Sequence, residues 1–321
     1  MSKKRVLHVI DHLGLGGART IVETLIKKGP ENYYLYSLRK SANEPIFTRD
    51  ESKRVFIHKN ELRYNISCLF ELKKIVLENK IEVIHLHLEK SVVMGYLLMK
   101  FFNLKVKVVI HEHGAIFMKK LLYFKVLKLM EKYDCTYIAV SNATKDKLIE
   151  KAKIREDKIK VLYNFIDSDK FKIDKTFNIE KEKKKLGVDN GDFIIGFVGR
   201  LDKIKSIDTI IKAVKKLDFK YKLLIAGVGP ERENLELLIK SLKLDKKVLF
   251  LGYRADILNV YRLFDVCVLA SKSEASTMTF YETQALGIPL IGSNVYAINE
   301  FIKDNKNGLL FEYGNDIDLS L

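Results

Sequence analysis

The stretch Phe193-Ile-Ile-Gly-Phe-Val198-Gly199-Arg200-Leu-Asp-Lys-Ile-Lys205-Ser-Ile-Asp208 decides the fold. Its first six residues form an apolar run that ends at a glycine and a charged loop, which reads as a strand buried on both faces. The next stretch, Ser206 to Leu217, takes up helical spacing. The same alternation extends in both directions. Downstream, strands are expected at Lys222 to Ala226, Val248 to Leu251, Val266 to Ala270, Leu290 to Ile291 and Leu309 to Phe311, with helices at Glu231 to Leu242 and Thr277 to Leu286 between them. Upstream, an earlier series runs from Arg5 to Ile10 through Tyr33 to Leu38, Val55 to His58, Val83 to His87, Lys107 to His111, Thr136 to Val140 and Lys160 to Leu162. Strands alternating with helices specify parallel sheets covered on both faces. The fold class is therefore α/β, with two Rossmann-like domains at residues 1–170 and 192–321 joined by a charged linker at 171–191.

The chain has 321 residues, ample for two cores, and a formal charge of +16. The excess is uneven, with 33 Lys and Arg against 20 Asp and Glu up to residue 170 and 24 against 21 beyond it. Such a field attracts phosphorylated substrates, anionic lipid or nucleic acid alike. Phe117 to Lys132 reads as a basic amphipathic helix, either docked on the core with a solvated lysine face or lying on a membrane surface. No apolar run approaches the roughly 18 residues of a membrane span and nothing near the start resembles a signal peptide, so a cytoplasmic chain is expected, at most peripheral on the inner membrane face. Cys68, Cys135 and Cys267 show no metal spacing and read as reduced core thiols. His85-Leu-His87 and His111-Glu-His113 each place two imidazoles on one strand face, but no supporting Asp, Glu or Cys spacing accompanies them, and no metal is expected.

In folds of this class ligands sit beyond the carboxyl ends of the strands, so the loops there carry the chemistry. Arg200 and Lys205 follow the first strand of the second half and suit a pyrophosphate, though taken alone they are equally an incidentally charged surface loop. Gly227-Val-Gly229-Pro230 is a tight turn into a helix, its glycines serving either the turn or a ligand, and Gly252-Tyr-Arg254 ends the next strand. Then comes Ser-Lys-Ser-Glu274-Ala-Ser-Thr-Met-Thr-Phe-Tyr-Glu282, two carboxylates separated by seven residues. The second, inside the segment that follows Glu274, is able to accept two hydrogen bonds from a vicinal diol, though the spacing taken alone is equally a solvated helix charge at one of the two positions. Phosphate would instead meet the amides of Ala275, Ser276 and Thr277 at the helix start.

These segments, in this order, resemble the carboxyl-terminal domain of the family 4 glycosyltransferases. The first half resembles the same family through Gly14-Leu-Gly16-Gly17-Ala18, His113-Gly114, Val140-Ser141-Asn142 and Val161-Leu-Tyr-Asn164. The resemblance implies a GT-B fold, two Rossmann-like parallel-sheet domains facing each other across a cleft, and a retaining, metal-independent transfer. The sugar would be a hexose or N-acetylhexosamine, and the acceptor a hydroxyl of a glycan or lipid-linked molecule. It implies no cofactor beyond the co-substrate, a nucleotide diphosphate sugar of UDP or GDP type. By carry-over, Gly16 and Gly17 let the backbone approach the donor phosphates, and His113 touches the sugar. Gly199, Arg200 and Lys205 take the diphosphate, Arg254 borders the donor, Glu282 takes the ribose hydroxyls and Glu274 the sugar itself. Two departures stand out: Ala275-Ser276-Thr277 replaces the family's usual Gly-Phe-Gly, and Arg19 replaces a glutamate. Relative to the family pattern the chain also reads as short at its carboxyl end.

Other classes fit less well. A GT-B-fold sugar-nucleotide epimerase shares the architecture, but the combination of Arg200, Lys205, Glu274 and Glu282 favours the transferase. A dinucleotide-dependent oxidoreductase needs a third glycine where Arg19 stands and a ribose carboxylate after the second strand, where Arg39-Lys40 lies. A non-catalytic nucleic-acid binder would account for the charge, yet no binding motif accompanies it, so no nucleic-acid partner is expected.

Overall fold

The computed structural model describes residues 4–14, 16–41, 45–59, 66–114, 121–171, 176–189 and 191–320. The chain divides into two compact units, Met1–Asn164 and Phe165–Leu321. In the first, β1 (Val6–Ile10), β2 (Tyr33–Ser37), β3 (Val55–Ile57), β4 (Val83–His87), β5 (Lys107–Glu112), β6 (Cys135–Ala139) and β7 (Ile159–Val161) pair in the order β3-β2-β1-β4-β5-β6-β7, all parallel. Between them run α1 (Gly17–Lys28), α2 (Arg49–Ser52), α3 (Ser67–Glu78), α4 (Glu89–Phe102), α5 (Leu121–Met130) and α6 (Asn142–Ala152).

Successive strand residues point to opposite faces, so one sheet serves two cores. Leu7, Val9, Ile84, Leu86 and Ile110 pack with Leu72 of α3, Leu98 of α4 and Leu127 of α5, while Ile10 and Leu35 pack with Val22 and Ile26 of α1. Helix starts follow local chemistry. Ser141 caps α6 by accepting from Thr144 N, which gives Val140-Ser141-Asn142 a structural role, and Thr48 with Glu51 forms a reciprocal capping box on α2. Of the stretch read as a basic amphipathic helix, residues 117–120 lie outside the described residues. The rest forms α5, which docks Tyr123, Phe124, Val126, Leu127 and Met130 on the core and leaves Leu121 and Leu122 exposed.

The second unit holds β8 (Phe193–Val198), β9 (Tyr221–Ala226), β10 (Val248–Gly252), β11 (Val266–Leu269), β12 (Leu290–Ser293) and β13 (Leu309–Phe311), parallel in the order β10-β9-β8-β11-β12-β13. Its helices are α7 (Ile179–Lys185), α8 (Ile207–Val214), α9 (Arg232–Ser241), α10 (Ile257–Tyr261), α11 (Met278–Leu286) and α12 (Tyr296–Asn299). Within the segment read as a linker, Val188 is buried in this unit's core and Phe177, Ile179 and Leu186 pack against the same cluster. Spaced apolar residues in a lysine-rich run thus suffice to dock α7. All three cysteines are free and buried, and burial pushes the Cys135 thiol up to about 12. Among the described residues no helix is long and apolar enough to cross a membrane.

Candidate functional site

In the second sheet β8 and β11 are neighbours whose onward connections run to opposite edges, through β9 and through β12. The loops leaving these two strands therefore diverge and open a crevice at their carboxyl ends. Lys205 comes from the first loop and Glu274 from the second, and they meet there, Lys205 Nζ lying 2.5 Å from Glu274 Oε1. Ser271 Oγ donates to the same carboxylate oxygen at 2.6 Å, and Ser271 is itself fixed because its carbonyl accepts from Ser293 Oγ. The backbones are joined as well, Lys272 N donating to Ile204 O at 2.8 Å. An ion pair this enclosed, with side-chain exposures of 21% and 11%, holds its two members in fixed places.

Arg200 stands on the same loop as Lys205 with its side chain 71% exposed, 3.4 Å from Asp202. Across the crevice, Ala275 and Thr277 are buried and α11 begins with no side-chain cap on its first amides. A helix start carries unsatisfied N–H groups and a positive dipole end, so this one suits an anion. Ser276 Oγ lies 3.5 Å from the hydroxyl of Tyr281. Glu282, on α11, accepts at Oε2 from the hydroxyl of Tyr261 at 2.7 Å. Burial pushes the Glu282 carboxyl up, and that hydrogen bond pulls it back down. Tyr261, fully buried, is pushed well above its ordinary range by burial and by Glu282, so it stays a donor.

Gly227 and Gly229 seat the loop that carries Arg200 and Lys205. A Cβ on Gly227 would lie 1.8 Å from Gly199 O, and one on Gly229 would lie 2.2 Å from Leu201 O. Leu201 N donates to Val228 O and Glu231 N to Leu201 O, each at 3.0 Å. Only bare backbone fits at this approach. Arg254 is placed elsewhere: its guanidinium is bound by Asp256 at 2.6 Å and by Glu182 of α7 at 3.2 Å, and those hydrogen bonds, Asp256 first, raise its pKa further. In this structure it forms an ion-pair network with those two carboxylates rather than with Lys205 and Glu274.

In the first unit the corresponding neighbours are β1 and β4. Asp11, just past β1, accepts from Ser91 N at 2.7 Å and from Lys90 N at 3.1 Å, capping α4 from across the crevice. Gly16 precedes α1 with φ 150° and no side-chain cap, Gly17 is the helix's first residue, and Leu15 lies outside the described residues. His113 follows β5, and the turn after it is anchored by buried Glu112, whose Oε1 accepts from Gly114 N at 3.0 Å and Oε2 from Tyr123 Oη at 2.6 Å. His113 Nε2 lies 2.9 Å from His87 Nδ1, and burial holds both imidazoles well below the usual range. Five of the seven histidines gather here, with the ligand atoms of His8, His85 and His87, and of His87, His111 and His113, within 4.8 Å of one another in each set.

The sequence supplied Lys205, Glu274 and Glu282 but not Ser271, Tyr261, Asp11 or Glu112. A serine three residues before Glu274 is a weak local signal for the first. Asp11 meets its partners through the β1/β4 neighbourhood, Tyr261 through the contact of α10 with α11, and Glu112 through the turn that follows it.

Family profiles match both halves of the chain. The profile of "Glycosyl transferases group 1" matches residues 178–320, and that of "Glycosyltransferase Family 4" matches residues 16–170. The N-acetyl-alpha-D-glucosaminyl L-malate synthase of Bacillus anthracis is 26% identical over 264 residues, 78% of this chain and 67% of that protein. The UDP-Gal:alpha-D-GlcNAc-diphosphoundecaprenol alpha-1,3-galactosyltransferase of Escherichia coli is 29% identical over 290 residues, 84% of this chain and 73% of that protein. Among solved structures, the Anabaena protein HepE in complex with UDP superposes with a TM-score of 0.84 at 21% identity, covering 98% of this chain and 88% of its own.

Proposed function

Because the chain belongs to the GT-B-fold glycosyltransferases of group 1 and family 4, we propose that it is a retaining, metal-independent transferase that moves a hexose or N-acetylhexosamine from a UDP-sugar to a hydroxyl of a glycan or lipid-linked acceptor. The observation that carries this reading is the Lys205–Glu274 bridge across the β8/β11 crevice, next to the uncapped start of α11. Arg200, Lys205 and the amides of Ala275, Ser276 and Thr277 stabilise the leaving diphosphate, supplying the positive charge that a metal ion would otherwise bring. Glu274 accepts from sugar hydroxyls and Glu282, steadied by Tyr261, from the ribose diol. In the first unit the start of α1 at Gly16 and Gly17 approaches the phosphates, and His113 meets the transferred sugar. The residues position and stabilise; in a front-face mechanism the departing phosphate itself removes the acceptor proton. The UDP donor is supported by the HepE–UDP complex and by the UDP-galactose named for the Escherichia coli relative.

A lipid-linked acceptor suits the outer face of α3, α4 and α5, where α4 lies against both neighbours. Phe70, Phe101, Leu121 and Leu122 are each more than 60% exposed there, and Lys73 and Lys100 stand over the rings of Phe102 and Phe101. Apolar side chains among lysines, in a half of the chain carrying most of the positive charge, favour an anionic bilayer as the surface this face rests on.

Thermal stabilisation in the presence of EDTA tests the reading. UDP and one of its sugar conjugates raise Tm by several degrees in the wild type and by nothing in Glu282→Ala. Nucleotide shifts that need a divalent ion, or that persist in the variant, count against it.

A further inference from the structure

The five clustered histidines gather at one sheet face. His8 pairs in register with His85, His87 with His111, and residues two apart on a strand share a side, so β1, β4 and β5 present four of them together, and His113, the first residue after β5, brings its ring against those of His87 and His111. Their contacts are of two kinds. His85 lies against His87 with centroids 4.2 Å apart and ring planes tilted by 32°, and His111 against His113 at 3.9 Å and 30°. By contrast, His8 Nδ1 and His87 Nε2 are 3.1 Å apart, and His87 Nδ1 and His113 Nε2 are 2.9 Å apart. Those two pairs have centroids at 5.3 and 5.1 Å and ring planes within 29° and 27° of each other. Nearly coplanar rings meeting nitrogen to nitrogen aim their lone pairs at each other rather than at a common third point. Both nitrogens of His87, the ring shared by the two triads, are already engaged in this way, which is the geometry of N–H···N hydrogen bonds rather than of a metal centre.

Proton counting then constrains the row His8–His87–His113. Burial keeps all three rings neutral, so each carries one N–H. Each bridge needs one proton. If His8 donates from Nδ1, His87 must accept at Nε2 and donate from Nδ1, and His113 must accept at Nε2 and carry its own proton on Nδ1. The opposite polarity places the protons on the Nε2 atoms of all three rings. The two ends, His8 Nε2 and His113 Nδ1, are therefore opposite in character, and among the described residues both are buried without a hydrogen-bond partner. Both nitrogens are enclosed, but His8 lies inside β1, where no ligand can supply a partner, whereas His113 stands just past the end of β5, on the carboxyl edge where ligands enter such folds. An enclosed orphan N–H is rarer than an enclosed orphan acceptor, so the bare nitrogen belongs at His8 and the N–H at His113.

We propose that His87 and His8 are positioning residues that fix His113 as its Nδ1–H tautomer, so that it presents a hydrogen-bond donor to an oxygen of the transferred sugar. The role of the sugar rests on the function proposed above; the hydrogen-bonded row does not. The rings of His85 and His111 pack against the row from the side.

Nitrogen-15 correlation spectra of the imidazoles in the full chain at pH 7.5 test both parts. All three rings of the row should appear as Nδ1–H tautomers, the minority form of free histidine. In His87→Leu, His113 should revert to Nε2–H, and His8→Phe should shift it in the same direction without touching it. His85→Phe, which preserves a ring there, should leave the tautomer unchanged. With UDP-sugar and acceptor, His87→Leu should lower kcat about tenfold with the donor KM nearly unchanged, as expected for loss of an orienting partner. A wild-type row of Nε2–H tautomers, or an Nδ1–H signal at His113 that survives both His87→Leu and His8→Phe, overturns the proposal. If the tautomers behave as stated but no nucleotide sugar binds, the row stands and the transferase reading fails.

Discussion

Mild acid should unfold the first unit well before the second. His8 is lowered from 6.5 to about 3 by burial and then by His111, and His111 is lowered to about 4 by burial; burial also holds His85, His87 and His113 well below 6.5. Between pH 6.5 and these folded-state values the unfolded chain binds protons that the folded chain refuses. Stability is therefore full above pH 6.5 and falls as the pH drops toward the folded values. The size of the effect at pH 5.5 hardly depends on how far each pKa is depressed, because every one of the five is still neutral in the folded state. Each then costs about 1.4 kcal/mol relative to pH 7.5, set by protonation of the unfolded chain alone, and the five add to about 7 kcal/mol. Domains are typically stable by about 5–15 kcal/mol, so the loss is comparable to the whole.

The second unit is an internal control, since residues 165–321 contain no histidine. Its Glu282, raised by burial, has the opposite sign and gains stability as the pH falls. Hydrogen exchange followed by mass spectrometry at pH 7.5 and 5.5, corrected for the intrinsic exchange rate, separates the two. Amides of β1, β4 and β5 should lose protection by several orders of magnitude while β8, β9 and β11 stay within about tenfold. Equal protection in both units at pH 5.5 would mean that the imidazoles are protonated in the folded protein, and the neutral, hydrogen-bonded row would be refuted with them.

Further expectations concern the second unit and the exposed apolar face of α3, α4 and α5. Gly227→Ala drives a Cβ to 1.8 Å from Gly199 O and should cost more than about 2 kcal/mol in urea unfolding, whereas Gly287→Ala, at φ 68° with nothing within 4 Å, should cost only about 1 kcal/mol. Tyr261→Phe removes a charge-assisted hydrogen bond worth roughly 1.5–3 kcal/mol and lets Glu282 rise further, so calorimetry should show UDP binding weakened about tenfold or more, and weakened most at low pH. Lys205→Ala and Glu274→Ala should each lower kcat about 100-fold, and the double variant should lose less than the product of the two, since the pair acts as one unit; strict multiplicativity in steady-state assays would contradict that. The double variant Leu121→Ser/Leu122→Ser should release the chain from anionic liposomes in flotation while leaving UDP binding intact; unchanged flotation would remove this face as the membrane contact.

The strands were legible because parallel strands are buried on both faces and show as unbroken apolar runs. Phe193–Val198 and Val83–His87 were read to the residue, and others within one or two. The short helices Ile257–Tyr261 and Tyr296–Asn299 were not, since neither has a side-chain cap and each is too brief to show a period. Arg49–Ser52 did carry a local signal, the Thr48 and Glu51 capping box. In the site, local sequence named the residues but not their partners. Lys205 and Glu274 are 69 residues apart, Tyr261 and Glu282 21, and His8 and His87 79. The first and third pairings follow from which strands lie side by side and the second from the packing of α10 against α11, none of which a single segment encodes. For the same reason His85-Leu-His87 looked like a bare two-histidine strand face until the β1/β4/β5 register extended it to four and His113, just past β5, made five.

Strand order also explains why both units tie their central loops together with a carboxylate. In each sheet the two strands at the reversal have loops that diverge, and something polar has to span the gap. In the first unit Asp11 reaches from the end of β1 to the amides of Lys90 and Ser91, spending its charge on the start of α4. In the second, Glu274 reaches from the end of β11 to Lys205, spending its charge on a cation. After both ties are made, α1 at Gly16 and α11 at Thr277 begin without a side-chain cap. Had Asp11 or Glu274 folded back to cap the helix that follows its own strand, each unit would have neutralised the positive terminus best suited to a diphosphate. In the transferase proposed above, the direction in which each carboxylate leans would thus serve donor binding as well: it braces the crevice and leaves the start of the following helix without a side-chain cap.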